Sequence, residues 1–260
     1  MLDNDDAITK TALEELYTVA KKFDADVVHC EKYFQVATEE NLLGRKDYQL
    51  AAYNVKNFVT EPTLISENFS DRVQAFVQME FMWNIWSKLI RRDYYIENNI
   101  KIIDSAGQDV ICTCCLACSA KKYLRVPNVV NIYRVIESSI SHRKETPKSL
   151  LKKWLKSFSN SISYLDKFLG EREFFQKNPD AKYLIFDTVA NTFIGYFLEL
   201  YEKNSAAQFD NLIREELKKV ENQTALSAFM FNRMNFFHVQ LFKQQQIIRQ
   251  LQNQLKSLQK

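Results

Sequence analysis

Glycine and proline are scarce in this sequence, since each occurs only four times in 260 residues. Loop-rich all-β folds need these residues at their many turns, so their scarcity argues against such a fold and favours long helices. Uninterrupted apolar runs long enough to span a bilayer are also lacking. The nearest candidate, 183–201, contains Asp187, Asn191 and Glu199.

An excess of one charge sign is lacking as well. The formal net charge is +3 and the pI is about 8.4. Nucleic-acid-binding domains usually carry a strongly basic face, so nucleic acid is not a predicted partner. This weak positive charge is compatible with peripheral contact with an anionic membrane surface.

The five cysteines lack the spacing of a structural zinc site. Four of them occupy one stretch of seven residues in an apolar segment: Cys112, Cys114, Cys115 and Cys118. The fifth, Cys30, lies at the end of a predicted strand. A structural zinc site usually needs two separate C-x-x-C pairs, and the sequence does not contain two. We therefore expect buried thiols that act as small apolar side chains. The number of cysteines is odd, and the acidic residues that follow Met1 do not resemble a signal peptide. Both observations predict a reduced, cytoplasmic setting.

The first 145 residues show mixed helix and strand signals. A helix is predicted from Thr11, where Thr11 and Glu14 have the spacing of a capping box and Leu13, Leu16 and Ala20 form an apolar face. A strand is predicted over 25–31, followed by a loop over 36–69 with a short strand near 48–55. Helices are predicted over 70–81 and 94–98, and one or two strands over 123–133 with a break at Pro127.

From Thr146-Pro147 onward the pattern becomes helical, which predicts a second region over 146–260. An apolar stripe runs to a stop at Gly170, and further helices are predicted over 181–201, 206–220 and from 225 to the end. Heptad spacing in the last of these helices predicts a coiled-coil tail over about 235–260 and self-association of the chain through it. The residues that carry this spacing are Leu241, Ile248, Leu251, Leu255 and Leu258.

Three segments, in order, resemble the family 2 glycosyltransferases of bacteria. The first is Asp3-Asn4-Asp5-Asp6, which resembles the D-x-D-D motif of that family. The second contains Trp86-Ser87-Lys88-Leu89, Arg91-Arg92 and Glu97-Asn98-Asn99-Ile100. The third runs from Gly107-Gln108-Asp109-Val110 through Tyr133-Arg134 to Ser138-Ser139-Ile140-Ser141. The resemblance implies the carboxyl-terminal portion of a GT-A fold over 1–145, followed by the helical region.

The resemblance implies a divalent cation, Mn²⁺ or Mg²⁺, at the acidic motif. Asp3 and Asp5, with Asp6 beside them, would bind the metal or the donor. Hard cations prefer carboxylate oxygens and neutralise the charge of a diphosphate leaving group. We picture these carboxylates at the end of a strand that turns into a helix. The alternative is that they are favourable charges ahead of a helix.

The resemblance also implies a catalytic base and several contact residues. Asp109 matches the Asp of the family's "E-D" pair, although Gln108 replaces the Glu. The alternative for Asp109 is a carboxylate at a strand start or turn, without a catalytic role. His142 is a candidate further metal ligand or a surface residue. Trp86 and Lys88 are candidate contacts to the acceptor or the sugar. The alternative for Trp86 is packing in the protein core, and the alternative for Lys88 is a solvated charge.

The implied activity is inverting transfer of a sugar from a nucleotide-sugar donor to a saccharide or lipid-linked acceptor in cell-surface polysaccharide synthesis. The apolar strand and nucleobase site that begin family members do not precede Asp3, so we expect the chain to be truncated and inactive alone. One alternative is a non-enzymatic helical association module with a degenerate transferase remnant. A second is an enzyme of another class that uses the cysteine cluster. The donor sugar and the acceptor cannot be read from the sequence.

Overall fold

The computed structural model describes residues 2–52, 58–78, 80, 82–135 and 146–202. Beyond 202 it describes residues 214, 218, 227, 230, 241–252 and 254. The predicted α/β region followed by a mostly α-helical region is confirmed. His142 lies outside the described residues, as does most of the helix predicted over 206–220.

The strands of the first region form two small mixed sheets. The strands are β1 (Ala7–Ile8), β2 (Val27–Cys30), β3 (Tyr33–Val36), β4 (Gln49–Ala51), β5 (Thr63–Leu64), β6 (Lys88–Ile90), β7 (Tyr123–Val126) and β8 (Asn131–Arg134). One sheet has the order β1-β8-β3-β4, and the other has the order β5-β7-β2-β6. The β3–β8 and β2–β7 pairs are parallel, and the remaining pairs are antiparallel.

Eight α-helices and one short 3₁₀ helix can be assigned bounds in the described ranges. The 3₁₀ helix Ile85–Ser87 leads directly into β6. The α-helices are α1 (Ala12–Phe23), α2 (Glu39–Gly44), α3 (Phe69–Val77), α4 (Arg92–Glu97), α5 (Gln108–Ala117), α6 (Pro147–Gly170), α7 (Glu173–Lys177) and α8 (Pro179–Glu202). Among these described helices, none combines the length and the apolar character needed to cross a membrane.

Helix α1 begins where the sequence predicts, but its details differ. Thr11 makes no capping bond to the backbone; its hydroxyl donates to Glu15 instead, so the predicted capping box is wrong. Leu13 is 67% exposed, whereas Ala12 and Leu16 are buried. The predicted face is therefore confirmed for Leu16 and Ala20, which pack in the core, and wrong for Leu13.

The region between β3 and α3 contains more structure than the predicted loop. It holds α2, β4 and β5, of which only β4 was predicted. Helix α3 is capped by Asn68, whose side-chain oxygen accepts a hydrogen bond from the Ser70 N–H at 2.8 Å. The helix therefore begins one residue before the predicted start, and it ends at Val77 rather than near residue 81.

Helices α6 to α8 complete the core of the α/β region. Helix α6 starts as predicted: Thr146 Oγ1 accepts from the Ser149 N–H at 3.3 Å, and Pro147 occupies the first turn. Ile162, Leu165 and Leu169 are buried in the same apolar cluster as the residues of α5. The predicted stripe thus packs α6 against the α/β region.

The described part of the tail is helical over 241–252, and every residue there is exposed. Five of these exposed residues have large apolar side chains: Leu241, Phe242, Ile247, Ile248 and Leu251. Self-association through this helix stays a prediction, as do the boundary between the two regions and the coiled coil.

Candidate active site

The acidic motif forms a turn that is fixed against β8. The Asp6 N–H donates to the Asp3 carbonyl at 3.1 Å, which closes the turn. Strand β1 pairs antiparallel with β8, so Arg134 at the end of β8 lies beside the turn. Arg134 donates its N–H to Asp6 Oδ1 at 3.0 Å and its Nε–H to the Asp5 carbonyl at 3.1 Å. The motif therefore lies before a short strand, and the predicted position at a strand end turning into a helix is wrong.

The carboxylates of this turn repel one another. Burial raises the pKa of Asp6 from 3.8 to about 6. The Arg134 N–H acts in the opposite direction, while the charges of Asp5 and Asp3 raise the pKa further. Crowded carboxylates of this kind favour a proton or a cation between them.

Replacing Asp6 with Asn should stabilise the protein at neutral pH but not at pH 4. Because the folded-state pKa of Asp6 is raised, the folded protein binds the extra proton, and its stability falls as pH rises from about 4 to about 6. Asn keeps the oxygen that accepts from Arg134 and removes the charge. We expect a gain of about 1 kcal/mol at pH 7 for this half-buried group, after allowing for solvent screening.

Urea unfolding at pH 4 and pH 7 measures this difference. Asp47→Asn, at an exposed turn with positive φ that Asn tolerates, is the matched control and should show no such pH-dependent gain. An equal gain from Asp6→Asn at both pH values would contradict the assignment.

Asp109 lies in the first turn of α5 and reaches toward the segment before β6. Its Oδ2 accepts a hydrogen bond from the Ile85 N–H at 3.3 Å. Burial raises its pKa; the Ile85 N–H and the charge of Lys88 lower it, and the charge of Asp3 raises it. Asp109 lies in a helix and not at a strand start or turn, and its catalytic role stays a prediction.

Trp86 lies between these groups in an aromatic cluster. Its ring stacks on Tyr133 with a centroid distance of 6.0 Å and an interplanar angle of 12°. Tyr33 meets the Trp86 ring edge-on at 5.1 Å. Trp86 itself is 8% exposed, whereas Tyr133, the neighbour of Arg134, is partly exposed.

Lys88 points into the protein. Its Nζ donates to the carbonyl oxygens of Met82 and Asn84, each at 2.7 Å, and its side chain is buried. Burial lowers its pKa from 10.5 to about 7, while the charge of Asp109 acts to raise it. Contact with a sugar remains a prediction for Trp86, whereas the Lys88 ammonium group binds the protein backbone.

The structure thus brings together most of the predicted site residues. The acidic turn lies beside Arg134, and Tyr133 stacks on Trp86. The residue before Trp86, Ile85, donates its N–H to Asp109. Sequence reasoning assigned no role to Tyr33, Tyr133 or Arg134. A signal for the last two was present, because both belong to the third matching segment.

The described residues do not supply a complete set of protein ligands for a metal ion. Within the described ranges, no three His, Cys, Asp or Glu side chains are grouped so that they could share one metal ion. Mg²⁺ is commonly held by only one or two carboxylates together with substrate phosphates. The carboxylate oxygens of the acidic turn fit that mode of binding.

The cysteines are separate from this chemistry, and all five are buried as predicted. Burial raises the pKa of Cys30 to about 12 and of Cys112 to about 11, and it raises those of Cys114 and Cys115 well above 9.

A thiol reagent at pH 8 should therefore modify none of the five cysteines in the native chain within minutes and all five after denaturation. Stoichiometric modification of a native thiol would revive the enzyme class that uses the cysteine cluster.

Comparison with known proteins gives little further guidance. No protein-family model matches the sequence, and no curated protein matches it significantly. Matching solved structures include S. aureus TarS 1–349 in complex with UDP-GlcNAc, at 13% identity and a TM-score of 0.41. That match covers 62% of this chain and 41% of the TarS chain, so this chain spans less than half of that structure.

Proposed function

We propose that this chain is the carboxyl-terminal part of a GT-A glycosyltransferase that transfers a sugar, with inversion, from a nucleotide-sugar donor. The acceptor would be a saccharide or a lipid-linked glycan. The observation that supports this most is the chain of contacts that runs from the acidic turn through Arg134, Tyr133, Trp86 and Ile85 to Asp109. The mixed α/β architecture followed by helices is compatible with this fold.

The acidic turn would hold the donor diphosphate through a cation. Asp3, Asp5 and Asp6 supply carboxylate oxygens, and Arg134 fixes the turn through two hydrogen bonds. When bound, Mn²⁺ or Mg²⁺ supplies positive charge that stabilises the diphosphate as it leaves. The acidic turn reaches the protein surface, because Asp3 is exposed.

Asp109 would take the proton from the attacking acceptor hydroxyl. One of its oxygens accepts from the Ile85 N–H, and Asp109 is partly exposed, so in this proposal the other oxygen faces the acceptor. The raised pKa makes its carboxylate a better proton acceptor than an ordinary Asp. The base role therefore needs only that the acceptor oxygen approach the second carboxylate oxygen.

Donor binding tests this proposal without requiring turnover. Calorimetry should detect nucleotide-sugar binding only when Mn²⁺ is present, and the Asp3→Asn/Asp5→Asn variant should lose it. Mn²⁺ alone should bind weakly, because the described residues provide no three-ligand group. Tight stoichiometric metal binding without nucleotide would contradict this coordination. Self-association without any donor binding would favour the helical association module instead.

A further inference from the structure

The segment 82–85 is held almost entirely by side chains. It precedes β6 without regular structure until the 3₁₀ helix begins at Ile85, and both Met82 and Ile85 are buried. Lys88 Nζ donates to the Met82 and Asn84 carbonyls, and Thr113 Oγ1 donates to the Trp83 carbonyl at 2.7 Å. Side chains thereby satisfy the Met82 and Trp83 carbonyls, where a helix or sheet would otherwise do so. The Asn84 carbonyl also accepts from the Ser87 N–H at 3.4 Å.

Lys88 and Asp109 bind opposite ends of one peptide group. The Asn84 carbonyl accepts from Lys88 Nζ and also from the Ser87 hydroxyl, each at 2.7 Å. The Ile85 N–H, which donates to Asp109, belongs to the same peptide bond. Such a group is planar and rigid, so rotation at one end moves the other end as well. A chain of hydrogen bonds through it also polarises each member.

We propose that Lys88 is a positioning residue that fixes the Asn84–Ile85 peptide group and, through it, orients the carboxylate of Asp109. This inference rests on the proposed function, in which Asp109 is the base. Lys88 touches neither donor nor acceptor in this role. It determines which carboxylate oxygen is held by the protein and which one faces the acceptor.

The surroundings of Lys88 explain why a charged donor occupies this buried position. On the neighbouring strand β2 its paired residue is His29, which is fully buried and whose pKa is lowered by burial and by Lys88 and Arg125. From α5, Asp109 and Cys112 face it, and Cys30 also acts on it from β2. Asp109 is thus the acidic carboxyl group whose charge favours the ammonium form of Lys88.

Titration of Asp109 in ¹³C-labelled native protein tests the inference without a transferase assay. Lys88→Met keeps the length of the side chain and removes the donor. It should raise the Asp109 midpoint by about one pH unit, because both a nearby positive charge and a fixed N–H donor are lost. Lys88→Gln, which retains a neutral donor, should produce a smaller change in the same direction and serves if Lys88→Met does not fold.

Thr113→Val is the matched control for this experiment. It removes the hydrogen bond to the Trp83 carbonyl but keeps the bond from Lys88 to the Asn84 carbonyl. An unchanged Asp109 midpoint in both Lys88 variants would overturn the inference, as would an equal change in Thr113→Val.

Kinetics separate this inference from the function on which it rests. In preparations that transfer sugar, Lys88→Met should lower kcat about 10- to 100-fold, leave the donor KM unchanged and shift the acid limb of the pH–rate profile upward. A lowered kcat with an unshifted acid limb would assign Lys88 a merely structural role and overturn the inference. A shifted Asp109 midpoint with no nucleotide-sugar binding by the unaltered chain would contradict the proposed function and leave the Lys88–Asp109 coupling in place.

Discussion

Replacing Asp109 with Asn is expected to lower the rate of sugar transfer by about 10²–10⁴-fold, the usual contribution of a positioned general base. Asn has almost the same size and keeps an oxygen that can accept from the Ile85 N–H. It cannot accept the proton of the acceptor hydroxyl. Folding should therefore be preserved while catalysis is lost, and donor binding should remain because the acidic turn is unaltered.

The measurement is release of nucleoside diphosphate from a nucleotide-sugar in the presence of acceptor. If this chain needs an upstream nucleotide-binding half, the extended protein is the proper background. Gln108→Glu is the matched control, since it restores the family's usual pair at an exposed neighbouring position and should be tolerated. Full activity of Asp109→Asn would refute the base assignment.

Replacing Arg125 with Met is expected to lower the free energy of unfolding by about 3–5 kcal/mol, as when one partner of a buried ion pair is removed. Arg125 Nε donates to Glu31 Oε1, and both side chains are nearly inaccessible, at 11% and 1% exposure. The Val59 N–H also donates to Glu31, at 2.7 Å. Without Arg125, this carboxylate stays buried with far weaker compensation for its charge.

Urea unfolding of the double variant Glu31→Leu/Arg125→Met provides the control. Removing both charges should recover most of the lost stability, because replacement of a whole buried pair by apolar residues is often neutral. Lys177→Met, which breaks the exposed pair with Glu173, should cost less than about 1 kcal/mol. If Arg125→Met costs no more than Lys177→Met, this account of the buried pair is wrong.

The sequence predicted those elements whose signals are local. Thr146 and Pro147 mark the start of α6 because capping and a fixed φ act within one turn. Strands β7 and β8 were predicted on either side of Pro127, because the ring fits a break between strands. Burial of the cysteines followed from their apolar neighbours.

The remaining elements depend on tertiary contacts. Helix α5 is buried on every side from Val110 to Ala117, so its sequence shows no one-sided apolar period to reveal it. Strands β1 and β5 have two residues each and exist only through pairing with β8 and β7. The contact of Arg134 with the acidic turn depends on the β1–β8 pairing, which no local pattern encodes.

The central claim is that the acidic turn and Asp109 belong to one donor site, and paramagnetic broadening by Mn²⁺ tests it most directly. Trp86 follows Ile85, whose N–H donates to Asp109. With Mn²⁺ and a nucleotide-sugar, the account predicts that the Asp109 carboxyl and Trp86 indole signals broaden far more than they do with Mn²⁺ alone. It also predicts that Asp3→Asn/Asp5→Asn abolishes the effect. Sharp Asp109 and Trp86 signals under saturating Mn²⁺ and donor would contradict it.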